Sequence, residues 1–458
     1  MNNMKSKLFV LWLLLCSFGT VVAQGLPALH VDGRFFVDEN GKRVILHGFA
    51  QTFSPFFNEE GAYWSNYDVE GCLKYNKGII DGIIIAGWKM NFVRQHMDPY
   101  WSNTPGKDVK GESDISAFSS YRFQLYLDEV FVPMAEYAIK SGLYVVMRPP
   151  GVCPEKIQKG DKYYKYLKKV WSIVSQHPKL KNNGAVIFEL ANEPVQICDA
   201  NGNAINNWDG GSWDKRGQLL TEFFQDVVNT IRENECNNII LVPGLHYQML
   251  YSTFEKYPIQ GENIGYAVHC YPGWYNSGYD SEVQVVYNEF KRGWNNEIMP
   301  IGRKAPIVVT EMDWAPEKYE SSWGKAITGT AGGNGFGANF IRIADESLNV
   351  SWLLFTGGHL LAKYNDAAPD GKTFLTDPEA CPRPCYRRFQ YYATQEYSDL
   401  INSEGYLPVF SVRGQNDVVR REYYTLSGIK LSKPCRGVCV VKETNSSGKT
   451  SIFKICYK

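Results

Sequence analysis

The sequence predicts an α/β fold: a (β/α)8 TIM barrel over residues 24–402, followed by a small β-rich segment over 403–458. Three observations predict it. Short apolar runs rich in β-branched residues recur along the chain. Amphipathic stretches of helical period separate them, and the reactive side chains gather at one end of the runs. The runs are Arg43–His47, Asn91–Gln95, Leu143–Arg148, Ala185–Leu190, Asn238–Val242, Ile264–His269, Pro306–Glu311 and Val350–Phe355. Strands apolar on both faces and separated by helices belong to a parallel sheet covered on each side.

The helical stretches are Tyr121–Lys140, Tyr163–Ser175, Asp214–Glu233, Ser281–Trp294 and Gly337–Asn349. Phe223, Val227 and Ile231, for example, step by four along one face. Eight such units fit a closed barrel better than an open sheet. No Gly-rich phosphate turn follows an early strand, which counts against a nucleotide fold.

The two ends differ in character from the middle. Lys5 and Lys7 precede the apolar run Leu8–Leu15, and the small-residue site Val21-Val22-Ala23 follows. This reads as a secretory signal over residues 1–23, with cleavage expected after Ala23. No later stretch is apolar for long enough to span a membrane, so an exported protein without a stable membrane span is expected. Beyond residue 402, alternating runs at Leu407–Arg413, Arg421–Leu426, Gly437–Lys442 and Ser451–Tyr457 suggest a hairpin layer.

Charge narrows the function. Lys and Arg number 48 and Asp and Glu 48, so no basic excess is present to neutralise phosphates and nucleic-acid binding is not expected. Of 11 Cys, one leaves with the signal. Cys381/Cys385 and Cys435/Cys439 are spaced for small loops, but no second pair of ligands beside them suggests zinc. No metal or organic cofactor is expected.

The chemistry sits in two carboxylates. Ile187–Pro194 (IFELANEP) ends a strand at Glu193, where Pro194 cannot continue the ladder and the chain must turn. Val308–Trp314 (VVTEMDW) presents Glu311 in the same way. On strands 4 and 7 of one barrel the two can face each other across the mouth. Glycoside cleavage needs that pair: one protonated carboxyl for the leaving oxygen, one carboxylate for the anomeric carbon. Glu189 shares side-chain parity with Glu193 and reads as a paired core acid.

Asn192-Glu193-Pro194, His269-Cys270-Tyr271, Glu311 and Trp352, together with His47-Gly48 and Asn91–Arg94, resemble glycoside hydrolase family 5, clan A, over roughly residues 28–400. The resemblance implies a retaining double displacement with Glu193 as acid/base and Glu311 as nucleophile. It also implies that Arg94 and Tyr271 hold Glu311, that Asn192 binds the sugar 2-hydroxyl, that His269 supports the acid/base and that Trp352 stacks on the sugar. Many members carry a His near the end of strand 3; here the string is Val145–Gly151 (VVMRPPG), and Arg148 or His96 is expected to fill that space. Trp101, Trp274, Trp314 and His96 are further candidates for sugar contact. The C-terminal string resembles the sorting tails read by the type IX secretion system.

The expected activity is that of a secreted endo-acting β-glycanase on a β-1,4-linked polysaccharide, β-glucan first, with a monomer favoured. β-Mannan hydrolysis, transglycosylation and non-hydrolytic glycan binding are the alternatives.

Overall fold

The computed structural model describes residues 25–51, 56–57, 66–205, 209–277, 287–312, 336–355, 383–403, 418–425, 429–433, 437–445 and 450–457. The expected signal segment, the run Leu407–Arg413, Trp314, Cys381 and Cys435 lie outside the described residues. The described chain divides into two compact units, one built on a barrel and one on a C-terminal sheet.

Three short antiparallel strands come first: β1 (Leu29–Asp32), β2 (Phe35–Asp38) and β3 (Arg43–Val44). The barrel strands are β4 (His47–Gln51), β5 (Phe92–His96), β6 (Tyr144–Arg148), β8 (Val186–Glu189), β10 (Ile240–Pro243), β11 (Ile264–Cys270), β12 (Ile307–Met312) and β13 (Val350–Leu354). They close in the order β10-β11-β12-β13-β4-β5-β6-β8, every neighbour parallel. Two-residue strands β7 (Lys156–Ile157) and β9 (Gln196–Ile197) pair above it. This is a (β/α)8 barrel.

Seven of the expected runs coincide with barrel strands. The first does not. Arg43–Val44 pairs with β2, and the barrel strand begins only at His47. An apolar run beside a sheet edge satisfies either partner, so its composition alone does not choose between them.

Helix starts follow the capping rules. Asp68, Asp161 and Asp209 each accept a backbone N–H three residues on, and helices Val69–Ile85, Lys162–Val174 and Gly210–Glu233 begin there. The expected helix Tyr121–Lys140 is continuous but loosens into a π turn at Leu127–Phe131. Pro133 explains it: with no N–H it cannot make the regular bond to the preceding turn. The Phe131 carbonyl there accepts Gln95 Nε2 at 2.7 Å.

The barrel interior is layered. Leu46, Phe92, Val146, Ile187, Leu241, Ala267, Val308 and Leu353 form an apolar floor joined by Leu29 and Phe36 of the N-terminal hairpin. Leu29 N donates to Gly184 O at 3.0 Å. The hairpin comes so close that a Cβ on Gly184 would lie 2.5 Å from Ala28 Cβ, so glycine is required. Side chains alternate along a strand. Two residues past the floor, the same parity therefore brings Arg94, Arg148, Glu189, His269 and Thr310 into the next layer, all buried.

The smaller unit contains an antiparallel sheet in the order β15-β14-β16-β17, with β14 (Val418–Tyr424), β15 (Lys430–Leu431), β16 (Gly437–Asn445) and β17 (Thr450–Tyr457).

Candidate active site

The polar layer is organised around Arg94, which is 1% exposed. Its Nε and Nη2 donate to Glu189 Oε2 and Oε1 at 2.6 and 2.9 Å. Nη1 donates to Glu311 Oε1 at 2.7 Å, and Nη2 also to Asn192 Oδ1 at 2.7 Å. One guanidinium thus spans three strands, a task suited to a rigid planar fork. Burial opposes its charge, but Glu189 and Glu311 outweigh burial and raise its pKa. Glu189 also accepts from Thr310 Oγ1 (2.9 Å) and Gln248 Nε2 (3.2 Å), as a compensated core acid should.

Glu311 reaches this layer through a β-bulge. Val268 faces Val309 across β11–β12, but His269 faces Glu311, so Thr310 is one residue extra. The bulge cancels the usual alternation, and both Thr310 and Glu311 point inward. Tyr271 Oη donates to Glu311 Oε2 at 2.5 Å. Burial pushes the Glu311 carboxyl up, but His269, Arg94, the Tyr271 hydroxyl and Arg148 together bring it down to about 2. It is ionised at neutral pH.

Glu193 stands on the loop after β8, with its side chain 23% exposed. Its φ is +56°, an uncommon conformation for a residue other than glycine. Two groups hold it there. Gln248 Oε1 accepts Glu193 N at 2.8 Å, and His269 Nδ1 lies 3.0 Å from Glu193 Oε1. The same Nδ1 is 3.5 Å from Glu311 Oε2. One oxygen of each carboxylate and a His269 ring nitrogen all lie within 4.8 Å of one another. Among the described residues this is the one group spaced to hold a metal ion. Both Glu311 oxygens, however, already accept hydrogen bonds from Arg94 and Tyr271.

With that geometry in view, likeness to known proteins becomes informative. Residues 37–355 match the cellulase family, glycosyl hydrolase family 5. The chain belongs to glycosyl hydrolase family 5. This family 5 chain is 26% identical over 227 residues to an endoglucanase of Bacillus sp. strain KSM-635, covering 47% of the chain and 21% of that relative. It thus spans about a fifth of the relative's length. In fold it is similar to a β-glucanase of Saccharophagus degradans crystallised with cellotetraose (TM-score 0.53, 17% identity, 80% of this chain and 94% of that one). A Pyrococcus horikoshii endocellulase complex gives a TM-score of 0.51 at 12% identity, over 80% and 98% of the two chains. The family match over residues 37–355 carries the assignment, and the two solved structures bear on the fold alone.

The structure of this family 5 chain brings six of the seven expected residues together: Arg94, Asn192, Glu193, His269, Tyr271 and Glu311. Trp352 is a correction. Expected as a sugar platform, it is fully buried, with Phe340, Phe389 and Tyr392 around its ring at 5.5, 4.7 and 6.3 Å. Its parity is the reason. Leu353 faces the barrel floor, so Trp352 faces outward to the helices. Trp101 is fully buried too, packed on Tyr126. Trp274 is half-buried, edge-on to Tyr271 at 5.2 Å, beside the carboxylates.

The strand-3 departure is filled by a pair. Arg148 Nη2 donates to His96 Nδ1 at 3.1 Å, and Arg148 Nη1 to Gly151 O at 2.7 Å. Burial, with Arg148 and Arg94 nearby, drives the His96 pKa well down, so the ring is neutral and can accept. Gln248 escaped the sequence reading. It follows His246 and Tyr247, all three at positive φ, and their backbone N–H groups bind Val195 O and Pro194 O. No turn residue in His246-Tyr247-Gln248 announces that conformation.

Proposed function

We propose that this chain is a secreted, endo-acting, retaining β-1,4-glucanase in which Glu193 is the acid/base and Glu311 the nucleophile. The proximity of Glu193, His269 and Glu311 carries the reading, because retention requires carboxylates only ~5–5.5 Å apart. In the first step Glu311, ionised, attacks the anomeric carbon. Glu193 gives its proton to the glycosidic oxygen as that bond breaks, leaving a glycosyl ester on Glu311. In the second step Glu193 takes a proton from water, which displaces the ester from the opposite face.

The other residues keep these roles apart. Arg94 and Tyr271 hold Glu311 ionised and aimed. Arg94 also fixes the Asn192 amide with its oxygen inward, which leaves the nitrogen to donate to a sugar 2-hydroxyl. His269 orients Glu193. The cellulase family and the endoglucanase relative favour β-glucan over β-mannan as substrate. Trp274 is the aromatic best placed for a sugar face.

Residues 1–23 are read as the export signal and 403–458 as a secretion sorting segment. The self-contained sheet of β14–β17 supports treating the latter as a separate functional piece. Secreted protein isolated with an intact Lys458 would argue against that assignment.

Replacing Glu311 by Gln is expected to abolish reducing-end release from a panel of β-glucan, β-mannan and xyloglucan while sparing the fold. Near-normal hydrolysis by the purified variant would refute the proposal.

A further inference from the structure

The loop that carries Glu193 is matched, residue by residue, by the segment after β10. His246 N donates to Val195 O at 3.2 Å, Tyr247 N to Pro194 O at 3.0 Å, and Glu193 N to Gln248 Oε1 at 2.8 Å. The order of these three rungs is antiparallel. Two are backbone to backbone, and the third is made by a side chain. We infer that Gln248 is a positioning residue that sets the separation of Glu193 and Glu311. The inference rests on the acid/base and nucleophile reading of that pair and adds to it the group that holds one against the other.

Gln248 is fully buried, and both ends of its amide are used. Oε1 accepts the Glu193 N–H, while Nε2 donates to Glu189 Oε1 at 3.2 Å and to Ala267 O at 3.3 Å. Only one orientation of the amide serves both sides, since the flipped group would set its nitrogen against a donor and its oxygen against acceptors. Glu189 in turn takes two hydrogen bonds from Arg94, whose Nη1 donates to Glu311 Oε1. A continuous chain therefore runs from the backbone of one reactive residue to the carboxylate of the other: Glu193, Gln248, Glu189, Arg94, Glu311. Its three inner members are buried, where hydrogen bonds are strongest and water does not compete.

The segment is built to keep that amide still. His246, Tyr247 and Gln248 stand at φ +51°, +60° and +62°, a run that residues with a Cβ adopt only when the surroundings impose it. Behind them Leu245 O accepts from Met249 N and Leu250 N, both at 3.0 Å. Glu297 Oε1 accepts Tyr251 N and Ser252 N at 2.6 and 2.8 Å. Gly244 closes the turn: a Cβ there would lie 2.2 Å from Leu250 O. Glu193, at φ +56°, is strained in the same sense, so two left-handed stretches brace each other. His269 grips the Glu193 carboxylate; Gln248 grips the backbone that aims it.

The test is leaving-group dependence. Wild type, Gln248→Met and Gln248→Asn are assayed on cello-oligosaccharides, whose leaving group needs a proton, and on an activated aryl β-cellobioside, whose leaving group does not. Methionine has the reach of glutamine but makes neither bond; asparagine keeps an amide in the buried site but is one methylene too short to bridge. Each variant is expected to lower kcat on the cello-oligosaccharides about 10²-fold, the scale of a displacement of ~1 Å at a reacting group, with KM near that of wild type. Phenol release from the aryl glycoside, read as kcat/KM, should stay near wild type. A residue that served stability alone would lower the folded fraction and scale both substrates equally. Should Gln248→Met fail to fold, Gln248→Asn carries the same comparison. Equal losses on the two substrates, or no loss on either, would overturn the inference. Glu193→Ala, run alongside, tells the two claims apart. Leaving-group selectivity in Glu193→Ala but not in the Gln248 variants leaves the acid/base reading standing; its absence from Glu193→Ala sinks both.

Discussion

Thr310 and Glu311 are neighbours in sequence on one strand, yet both side chains enter the barrel interior, Thr310 to bind Glu189 and Glu311 to bind Arg94. The extra residue in β12 makes this possible. It lets one strand support the buried ion pair and bring the Glu311 carboxylate to His269 at once. Thr310→Val should remove a donor from the buried Glu189 and cost about 1–3 kcal/mol of stability. A urea midpoint equal to wild type would show that Glu189 does not depend on it.

Glu193 should reveal itself through the leaving group. In the proposed acid/base role Glu193 is the proton donor, so on that proposal Glu193→Ala should slow substrates with poor leaving groups by about 10²–10⁴. Activated aryl glycosides need little protonation and should still form the glycosyl ester, which then accumulates for want of a base. Burst kinetics on an activated substrate would read this; equal slowing of all substrates would contradict the acid/base role.

Tyr271→Phe tests how Glu311 is kept ionised. Burial favours the neutral acid, and the Tyr271 hydroxyl is one of the groups that reverse this. Its loss should raise the Glu311 pKa above about 2 and move the acid limb of kcat/KM to higher pH. Superimposable pH profiles would remove Tyr271 from that role.

The same depression has a stability consequence. A carboxyl whose pKa is lower in the folded than in the unfolded chain stabilises the fold above the unfolded value. That contribution fades as the pH falls through the folded value, here between the ordinary carboxylate range and about 2. Acidification across that window should therefore destabilise wild type more than Glu311→Gln, as followed by denaturant unfolding at several pH values. Parallel losses in the two proteins would show that Glu311 is not the group involved.

Trp352 separates packing from binding. Its ring is enclosed by Phe340, Phe389 and Tyr392, so Trp352→Ala should cost about 3–5 kcal/mol. The KM of the folded variant should stay near that of wild type. A large rise in KM with unchanged stability would restore the sugar-platform role.

Period and strand ends made much of this legible beforehand. Buried parallel strands are continuously apolar, so seven barrel strands stood out, and rim positions marked Arg94, Glu193, His269 and Glu311. What was hidden depends on a single step of register. Trp352 sits one residue from an inward position, and an apolar run does not say which parity faces the pore. The bulge at Thr310 is likewise silent, since threonine is an ordinary strand residue. Gln248 was out of sight because its position depends on three successive left-handed residues without a glycine among them.

The hairpin of β1 and β2 has an effect beyond packing. By joining Leu29 and Phe36 to the barrel floor it corks the end opposite the carboxylates. With that end filled, whatever binds at the carboxylates must arrive and depart by the same doorway, and a ragged or trimmed N-terminus that pulled the cork would wet the interior from below long before it touched Glu193 or Glu311.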